Sequence, residues 1–378
     1  MSRGKISPNV IKLNNRQSVY QYIRKNDSVS KQDIVVALQL SLPTVTQNLQ
    51  YLEKQKLIDT SRKIKNTGGR NATAYTYIEN AKMAIGVYIT VYHINAVAVD
   101  LSGDIKGIIR ERVPFNLDDD EYLKKIGRAV EIVKAQAGIS DKDILGVGIG
   151  VPGLVSDDGE NVLYGMTLNF TGKTRKEIAK YIPYNNRLLH DSYAAGYAEI
   201  WEDHRVKNGF YISLSNSVGG SIIIDQTIYE GDRQKGGEIG HMVVVPKGGE
   251  KCYCGRYGCF DTVCRACILD QYTGGNLEEF FVQLKKGDRE AAKLWDEYLD
   301  NLAIAVHNMR ILFDGVIIVG GYVGAYIGDY MEDLCDRVDR HNPFGDSAKD
   351  YLFQCRFKRE ATAAGAALFY IDEFLNSV

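Results

Sequence analysis

The sequence predicts an α/β protein, with an N-terminal winged helix-turn-helix over residues 1–80 and a two-lobed α/β body behind it. Two observations predict it. Positive charge and helical periodicity fill the first fifth of the 378 residues. Hairpin strands followed by crossover helices then occur twice, the pattern of a duplicated body with a cleft between its lobes. The first lobe spans residues 81–200 and is completed by the closing helix at 361–378. The second spans 201–360.

Charge separates the module from the body. Up to Tyr75, 13 lysines and arginines stand against four acids (Asp27, Asp33, Glu53 and Asp59), a net of +9. The remainder carries −11, which gives the overall −2. A basic module on an acidic body fits nucleic-acid binding. A merely solvated tail would lack the periodicity that follows. "NRQSVYQYIRKN" sets Val19, Tyr22 and Ile23 at helical spacing. Ser30 can cap a second helix, with Asp33 as the reciprocal acid. Ser41 can cap the third, which Leu42 and Pro43 begin. Val45, Leu49, Leu52 and Leu57 form its core face, with Tyr51 alongside. Thr44, Thr46, Gln47 and Gln50 fall mostly on the other face, where short hydroxyl and amide side chains can read base edges. Ser41, Thr44, Thr46 and Gln47 are thus candidate operator contacts. Two strand-like segments then flank a glycine turn with Lys63, Lys65 and Arg70. In a wing, Arg70 at the tip can enter an A·T-rich minor groove.

No apolar run approaches membrane-span length. The start, "MSRGKISPNVIKLNNRQ", lacks a signal peptide's apolar core. The sequence reading is therefore cytoplasmic, with no membrane partner, and thiols kept reduced. The seven cysteines are odd in number and bunched, which argues against a disulfide framework.

The body opens at Ala84 with "AIGVYITVYHINAVAVDLSGDI", two strands and a hairpin turn at Ser102–Gly103. "EYLKKIGRAVEIVKAQAG" is an amphipathic helix. "ILGVGIGVPGLVSDDG" is a buried strand entering a glycine-proline loop. "RKEIAKYI" reads as helix, "NRLLHD" as strand, and "SYAAGYAEIWE" as a helix just after Asp191. "FYISLSNSVGGSIIIDQTIYEGD" begins the second round, "DTVCRACIL" looks helical, and "TAAGAALFYIDEFL" closes the chain.

"GGEIGHMVVVPKGGEKCYCGRYGCF" concentrates metal-binding chemistry. His241, Cys252, Cys254 and Cys259 make a closed set of one imidazole and three thiolates, suited to tetrahedral zinc. Gly255 and Gly258 allow the tight turns. The C-x-C-x4-C spacing is not that of a standard finger. Four protein ligands leave no open position, so the zinc is expected to be structural. Cys264 and Cys267 could compete as ligands, but in a helix they are expected to pack as small hydrophobes.

From about Ile85 onward the chain resembles the ROK family of repressors and sugar kinases, which has the actin-like, hexokinase-like fold. "GGEIGHM…CYCGRYGCFD" is similar to the family's GEIGH…CxCGxxGCxE signature, and "GVGIGVPGLV" and "HDSYAAGYAE" match in position. With its winged helix, the whole chain is similar to ROK transcriptional repressors. The resemblance implies zinc on the same His and three Cys. It implies a sugar bordered by Gly153, Asn169, His190, Asp191, Glu238, His241 and Asp261. In a ROK kinase, Asp191 would take the proton from the attacking sugar hydroxyl. His190 departs from the family's Asn, and Asp261 from its Glu. The phosphate side departs further. Against the family's D-x-G-x-T loop this chain puts Tyr88 at the Asp, Thr90 and Val91 at the glycines, and Tyr92 at the Thr. The second loop reads "SNSVGGS", with only Gly219 clearly kept. Phosphoryl transfer depends on positioning and charge stabilisation, so neither kinase activity nor ATP binding is expected. The function expected is a transcriptional regulator, a repressor released from its operator by a sugar or sugar-phosphate effector, acting as a homodimer or dimer of dimers. The rivals are a sugar kinase with an added DNA-binding domain and a scaffold blind to ligand.

Overall fold

The computed structural model describes residues 8–64, 72–203 and 205–378. Three helices open the chain. α1 (Pro8–Arg24) buries Val19, Tyr20 and Ile23, while Tyr22 is only partly covered. α2 (Lys31–Leu38) carries the reciprocal Ser30–Asp33 cap. α3 (Leu42–Lys54) is capped by Ser41, which accepts the Thr44 N–H, and it buries Val45, Leu49 and Leu52. Tyr51 stays on the surface beneath the Arg16 guanidinium, 3.7 Å from its ring centre. β1 (Ile58–Asp59), β2 (Lys63–Ile64), β3 (Ala72–Thr73) and β4 (Thr76–Tyr77) form two antiparallel ladders, β1 with β4 and β2 with β3. These are the base of a wing. Lys65 and Arg70 lie outside the described residues.

The first body sheet comprises β5 (Met83–Ile89), β6 (His93–Asp100), β7 (Ile105–Arg112), β8 (Ile144–Val151) and β11 (Asn186–His190). α4 (Asp120–Ala137) crosses between β7 and β8. A small ladder of β9 (Leu154–Val155) and β10 (Val162–Tyr164) and the single turn α5 (Arg175–Ile178) precede β11. The sequence expects α5 to run on through Ile182, but it stops at Ile178. α6 (Asp191–Ile200) follows β11 without a loop.

The second sheet comprises β12 (Gly209–Leu214), β13 (Val218–Ile224), β14 (Thr227–Tyr229), β15 (Val316–Gly320) and β16 (Leu352–Gln354). Between β14 and β15 lie α7 (Phe260–Cys264), α8 (Cys267–Asp270), α9 (Leu277–Lys285) and the long α10 (Arg289–Phe313). α11 (Gly321–Gly324) and α12 (Met331–Asp339) link β15 to β16. The two sheets run in the same order, β7-β6-β5-β8-β11 and β14-β13-β12-β15-β16. In each, an antiparallel meander is extended by two parallel strands. That shared order is the duplication that the sequence pattern implied.

α13 (Ala361–Ser377) returns to the first sheet and packs on α6. Its "ATAAGAAL" start lets backbones touch. A side chain at Gly86 would collide with the Ala363 carbonyl, and one at Gly365 with the Ala194 carbonyl.

One helix expected across "DTVCRACIL" is two. Arg265 is extended, at φ −71° and ψ 149°, because the Ala266 N–H leaves the helix path to reach the Ser215 carbonyl at 2.7 Å. Cys264 is fully buried, as expected of a small hydrophobe, whereas Cys267 is only partly covered.

The winged module is fastened to the body through Arg24 at the end of α1. Its guanidinium holds both carboxylate oxygens of Glu202, the second at 2.6 Å, and donates to the Leu101 carbonyl at 3.0 Å. Tyr77 and Trp201 flank it. Burial disfavours the guanidinium's charge, and the Glu202 carboxylate more than offsets that. Glu202 sits just past the C-terminal end of α6, whose first residue is Asp191.

Candidate functional site

Four sequence-predicted residues converge where the ends of β8 and β11 face β13. Gly153, His190, Asp191 and Glu238 line one cleft of about 50 Å³, together with Ser217 and Tyr253. Asp191 is placed by the abrupt passage from β11 into α6. Its Oδ1 accepts the Ser192 N–H at 2.7 Å and lies 3.4 Å from His190 Nε2. Its Oδ2 accepts a hydrogen bond from the Tyr88 hydroxyl at 3.1 Å. Burial raises the pKa of Asp191, and His190, Tyr88 and backbone N–H groups pull the other way. Burial, and then the Asp191 charge, push Tyr88 well above the usual phenol range, so the ring keeps its proton and donates. Tyr88 spans from β5 to the cleft's central carboxylate.

Glu238 precedes a short turn of 3-10 helix, Ile239–His241. His241 presents two faces. Nε2 lies 3.9 Å from Glu238 Oε2, and Nδ1 lies 3.7 Å from Cys252 Sγ. Cys254 and Cys259 sulfurs are also 3.7 Å apart. All four ligand atoms lie within 4.8 Å of one another. Two corners of a tetrahedron whose ligands sit about 2.3 Å from the centre, as zinc thiolates do, are separated by nearly the same sulfur–sulfur distance. Burial and the neighbouring thiols push Cys259 up to about 12. A divalent cation reverses that preference and binds the thiolate. The donor set, spacing and burial therefore fit a metal ion.

Two other predicted residues are not among those that line the cleft. Asp261 is buried in α7, where its carboxylate accepts the Val218 N–H at 2.8 Å and so fixes the start of β13. Burial raises its pKa. Asn169 is exposed on a turn with a left-handed φ of 53°, and its neighbours Met166 and Thr167 are the ones that line the cleft. Glu199 turns away too: its carboxylate accepts the N–H groups of Arg356 and Phe357, tying α6 to the chain beyond β16.

On α3, Thr44, Thr46, Gln47 and Gln50 share a solvent-facing surface with Leu42 and Pro43. Ser41 and Thr44 hydroxyls bond each other at 2.8 Å, and Thr46 bonds back to the Leu42 carbonyl. Gln47 and Gln50 are the exposed amides left to meet a partner.

The ROK family pattern matches residues 84–373. The chain belongs to the ROK family. The xylose repressor of Caldicellulosiruptor bescii is 22% identical over 391 aligned residues, covering 97% of this chain and 98% of that protein. A solved ROK family transcriptional regulator, a homologue of the E. coli MLC protein, superposes with a TM-score of 0.71 at 22% identity, over 97% of each chain. A ROK family glucokinase from Streptomyces griseus, solved with glucose and AMPPNP, gives 0.64 at 22% identity over 76% of this chain and 98% of its own. The kinase covers about three quarters of this chain and the regulator nearly all of it. The actin-like, hexokinase-like body and its N-terminal helix-turn-helix are thus the fold of this chain. Among the described residues no helix is long and apolar enough to cross a membrane.

Proposed function

We propose that this ROK protein is a sugar-responsive repressor, with α3 and the wing on operator DNA and a sugar between the lobes. The observation that carries the proposal is the Tyr88–Asp191 hydrogen bond in a chain that also carries the three-helix N-terminal module. A phenol occupies the position of a phosphate-loop carboxylate, while Asp191 and Glu238 remain at the cleft as acceptors for sugar hydroxyls. The likeness to a xylose repressor over nearly the whole chain supports this reading and puts xylose first among the sugars to test. At about 50 Å³ the cleft is far below the roughly 300 Å³ of ordinary ligand pockets. Sugar binding would therefore change the angle between the lobes. In a dimer such motion changes the spacing of two winged helices, which a palindromic operator tolerates poorly. The test is an operator titration with and without each member of a monosaccharide panel. An operator affinity that no sugar changes would defeat the proposal.

A zinc ion on His241, Cys252, Cys254 and Cys259 would be structural. By ligating through the nitrogen that faces Cys252, His241 would keep its other nitrogen protonated and directed toward Glu238.

Gln47→Ala is expected to cost about 1–3 kcal/mol of discrimination at one operator position and to leave nonspecific binding nearly unchanged. Competition between operator variants measures it. With ATP, magnesium and the sugar panel, a coupled assay is expected to show no turnover. Rates near the usual kinase range of about 1–100 s⁻¹ would replace the proposal by the enzyme reading.

The Arg24–Glu202 clamp gives the cleft a mechanical route to the module, since α6 spans from Asp191 to the clamp. Glu202→Gln should leave sugar affinity intact and shrink the sugar-induced change in operator affinity by about tenfold. Calorimetry for the sugar and a DNA titration for the coupling separate the two quantities.

A further inference from the structure

Three large side chains at the mouth of the Asp191 cleft stand half in solvent: Tyr164 (47%), Met166 (56%) and Tyr253 (49%). Aromatic and thioether groups left open over a polar floor mark a surface that a ligand covers. Tyr164 and Met166 come from the first lobe and Tyr253 from the second, so the mouth is framed from both sides.

Backbone holds both tyrosines in place. A side chain at Gly153 would come within 2.6 Å of the Tyr164 carbonyl, so the glycine lets β10 fold over the cleft. Tyr253 stands between two of the candidate metal ligands, in a turn that is pinned twice. The Gly255 N–H donates to the Cys252 carbonyl at 2.9 Å, and the Cys252 N–H to the Arg256 carbonyl at 2.7 Å. The Tyr253 ring meets the His241 ring edge-on, with 5.0 Å between centres. The metal cluster therefore aims Tyr253 at the cleft as well as His241. Exposure alone does not carry this point. Tyr257, on the same loop, is more exposed at 62% and does not line the cleft. Tyr253 does line it, and its hydroxyl makes no hydrogen bond among the described residues.

Charge narrows the ligand class. Asp191 and Glu238 are the carboxylates of the lining, and among the described residues no lysine or arginine lines the cleft. Carboxylates accept from sugar hydroxyls and repel a phosphate group. We propose that Tyr253 is the residue that selects the sugar. Its ring stacks on the apolar C–H face of an unphosphorylated, unsubstituted aldopyranose while its hydroxyl bonds a sugar oxygen. The inference rests on the repressor reading above and deepens it. Tyrosine supplies both contacts from one rigid side chain, because its body is apolar and its tip polar. The ring also sets a size limit. In a cleft of about 50 Å³, a substituent such as an N-acetyl group has to displace the ring to enter. Selectivity thus comes from the loop between the metal ligands rather than from Asp191 and Glu238, whose acceptors any of these sugars can satisfy.

The experiment is calorimetric titration of the full-length protein with xylose, glucose, N-acetylglucosamine and glucose 6-phosphate, on the parent, Tyr253→Phe and Tyr253→Ala. In the parent, xylose or glucose is expected to bind at least about tenfold tighter than the N-acetylated and the phosphorylated sugar. Tyr253→Ala should weaken the preferred sugar about tenfold or more and shrink its lead over N-acetylglucosamine to within about threefold. Tyr253→Phe keeps the ring and loses the hydroxyl, so it should cost about two- to tenfold and preserve the lead. Zinc content and melting curves of both variants should match the parent's. The ratio between two sugars is the deciding quantity, since a merely weakened fold lowers both affinities together. A parent that binds a sugar, with Tyr253→Ala of equal affinity and equal selectivity, overturns the role of Tyr253 and leaves the repressor reading standing. Tightest binding of glucose 6-phosphate, or binding of none of the four, overturns the ligand class. The repressor reading itself falls only if the wider panel also leaves operator affinity unchanged. A Tyr253→Phe variant that loses selectivity as fully as Tyr253→Ala overturns the stacking.

Discussion

Cys254→Ser is expected to empty the His–Cys cluster of metal and to lower stability by more than about 4 kcal/mol, the range reserved for lost metals and similar insults. Serine keeps the shape of cysteine, so packing hardly changes and the missing thiolate is isolated as the cause. The loss should be large because the stretch from Lys247 to Gly258 has little else to hold it. Within it only Cys252 and Gly258 are buried, and Gly248, Gly255 and Gly258 all take left-handed backbone that no side chain fixes. Structural zinc contributes about 10–16 kcal/mol to small peptides that fold around it. Here the second lobe also has its own core around Phe260, Trp295 and Leu299, so only part of that appears as global stability. Melting of the body should fall by roughly 10 °C or more. Sugar affinity should fall with it, since the same histidine faces Glu238. Metal analysis of protein purified without added zinc, together with melting curves of both proteins, checks this. A parent protein that is metal-free yet folded, with a variant of equal stability, would remove zinc from the account.

Local chemistry was legible in the sequence. Ser30 and Asp33 form the reciprocal cap that their spacing implies, and Ser41 caps α3. The four metal-ligand candidates come together, as the crowding of one histidine and three cysteines in a single glycine-rich stretch implies. Long-range pairings were not legible. Tyr88 reads as a lost phosphate residue, and nothing in "VYITVYH" says that its hydroxyl meets a carboxylate 103 residues away. Arg24 and Glu202 are 178 residues apart, and each reads locally as an ordinary charge near a helix end. Periodicity likewise cannot foresee that the Ser215 carbonyl captures the Ala266 N–H and breaks a helix. Such partners are set by sheet order. The hairpin pattern implies that order only in outline.

Asp191→Asn is the substitution that separates a sensor from a disabled enzyme. In a kinase this carboxylate would be a general base, and its loss would appear chiefly in rate. In the proposed sensor it is an acceptor, and its loss appears in binding. Asparagine keeps the shape but turns one acceptor oxygen into a donor, and it forfeits charge-assisted hydrogen bonds worth roughly 1.5–3 kcal/mol. Sugar affinity should fall about ten- to a hundred-fold. Tyr88 sharpens the expectation. Its hydroxyl already donates to Oδ2, so ionised Asp191 enters binding partly satisfied and rigidly placed. The carboxylate accepts the Tyr88 hydroxyl on Oδ2 and the Ser192 N–H on Oδ1, and an amide, with one oxygen, cannot accept both in the same way. pH supplies a second signature. Burial raises the Asp191 pKa, and a sugar hydroxyl donating to it favours the ionised form. Affinity in the parent should therefore decline as pH falls through this raised pKa, beginning above the ordinary carboxylate range. The variant, with nothing to titrate there, should lose that slope. Operator affinity without sugar should be the same in both proteins, because α3 is remote from the cleft. Operator titrations with and without the best sugar, repeated across pH, measure all three quantities. An unchanged sugar midpoint in the variant would take Asp191 out of the binding site.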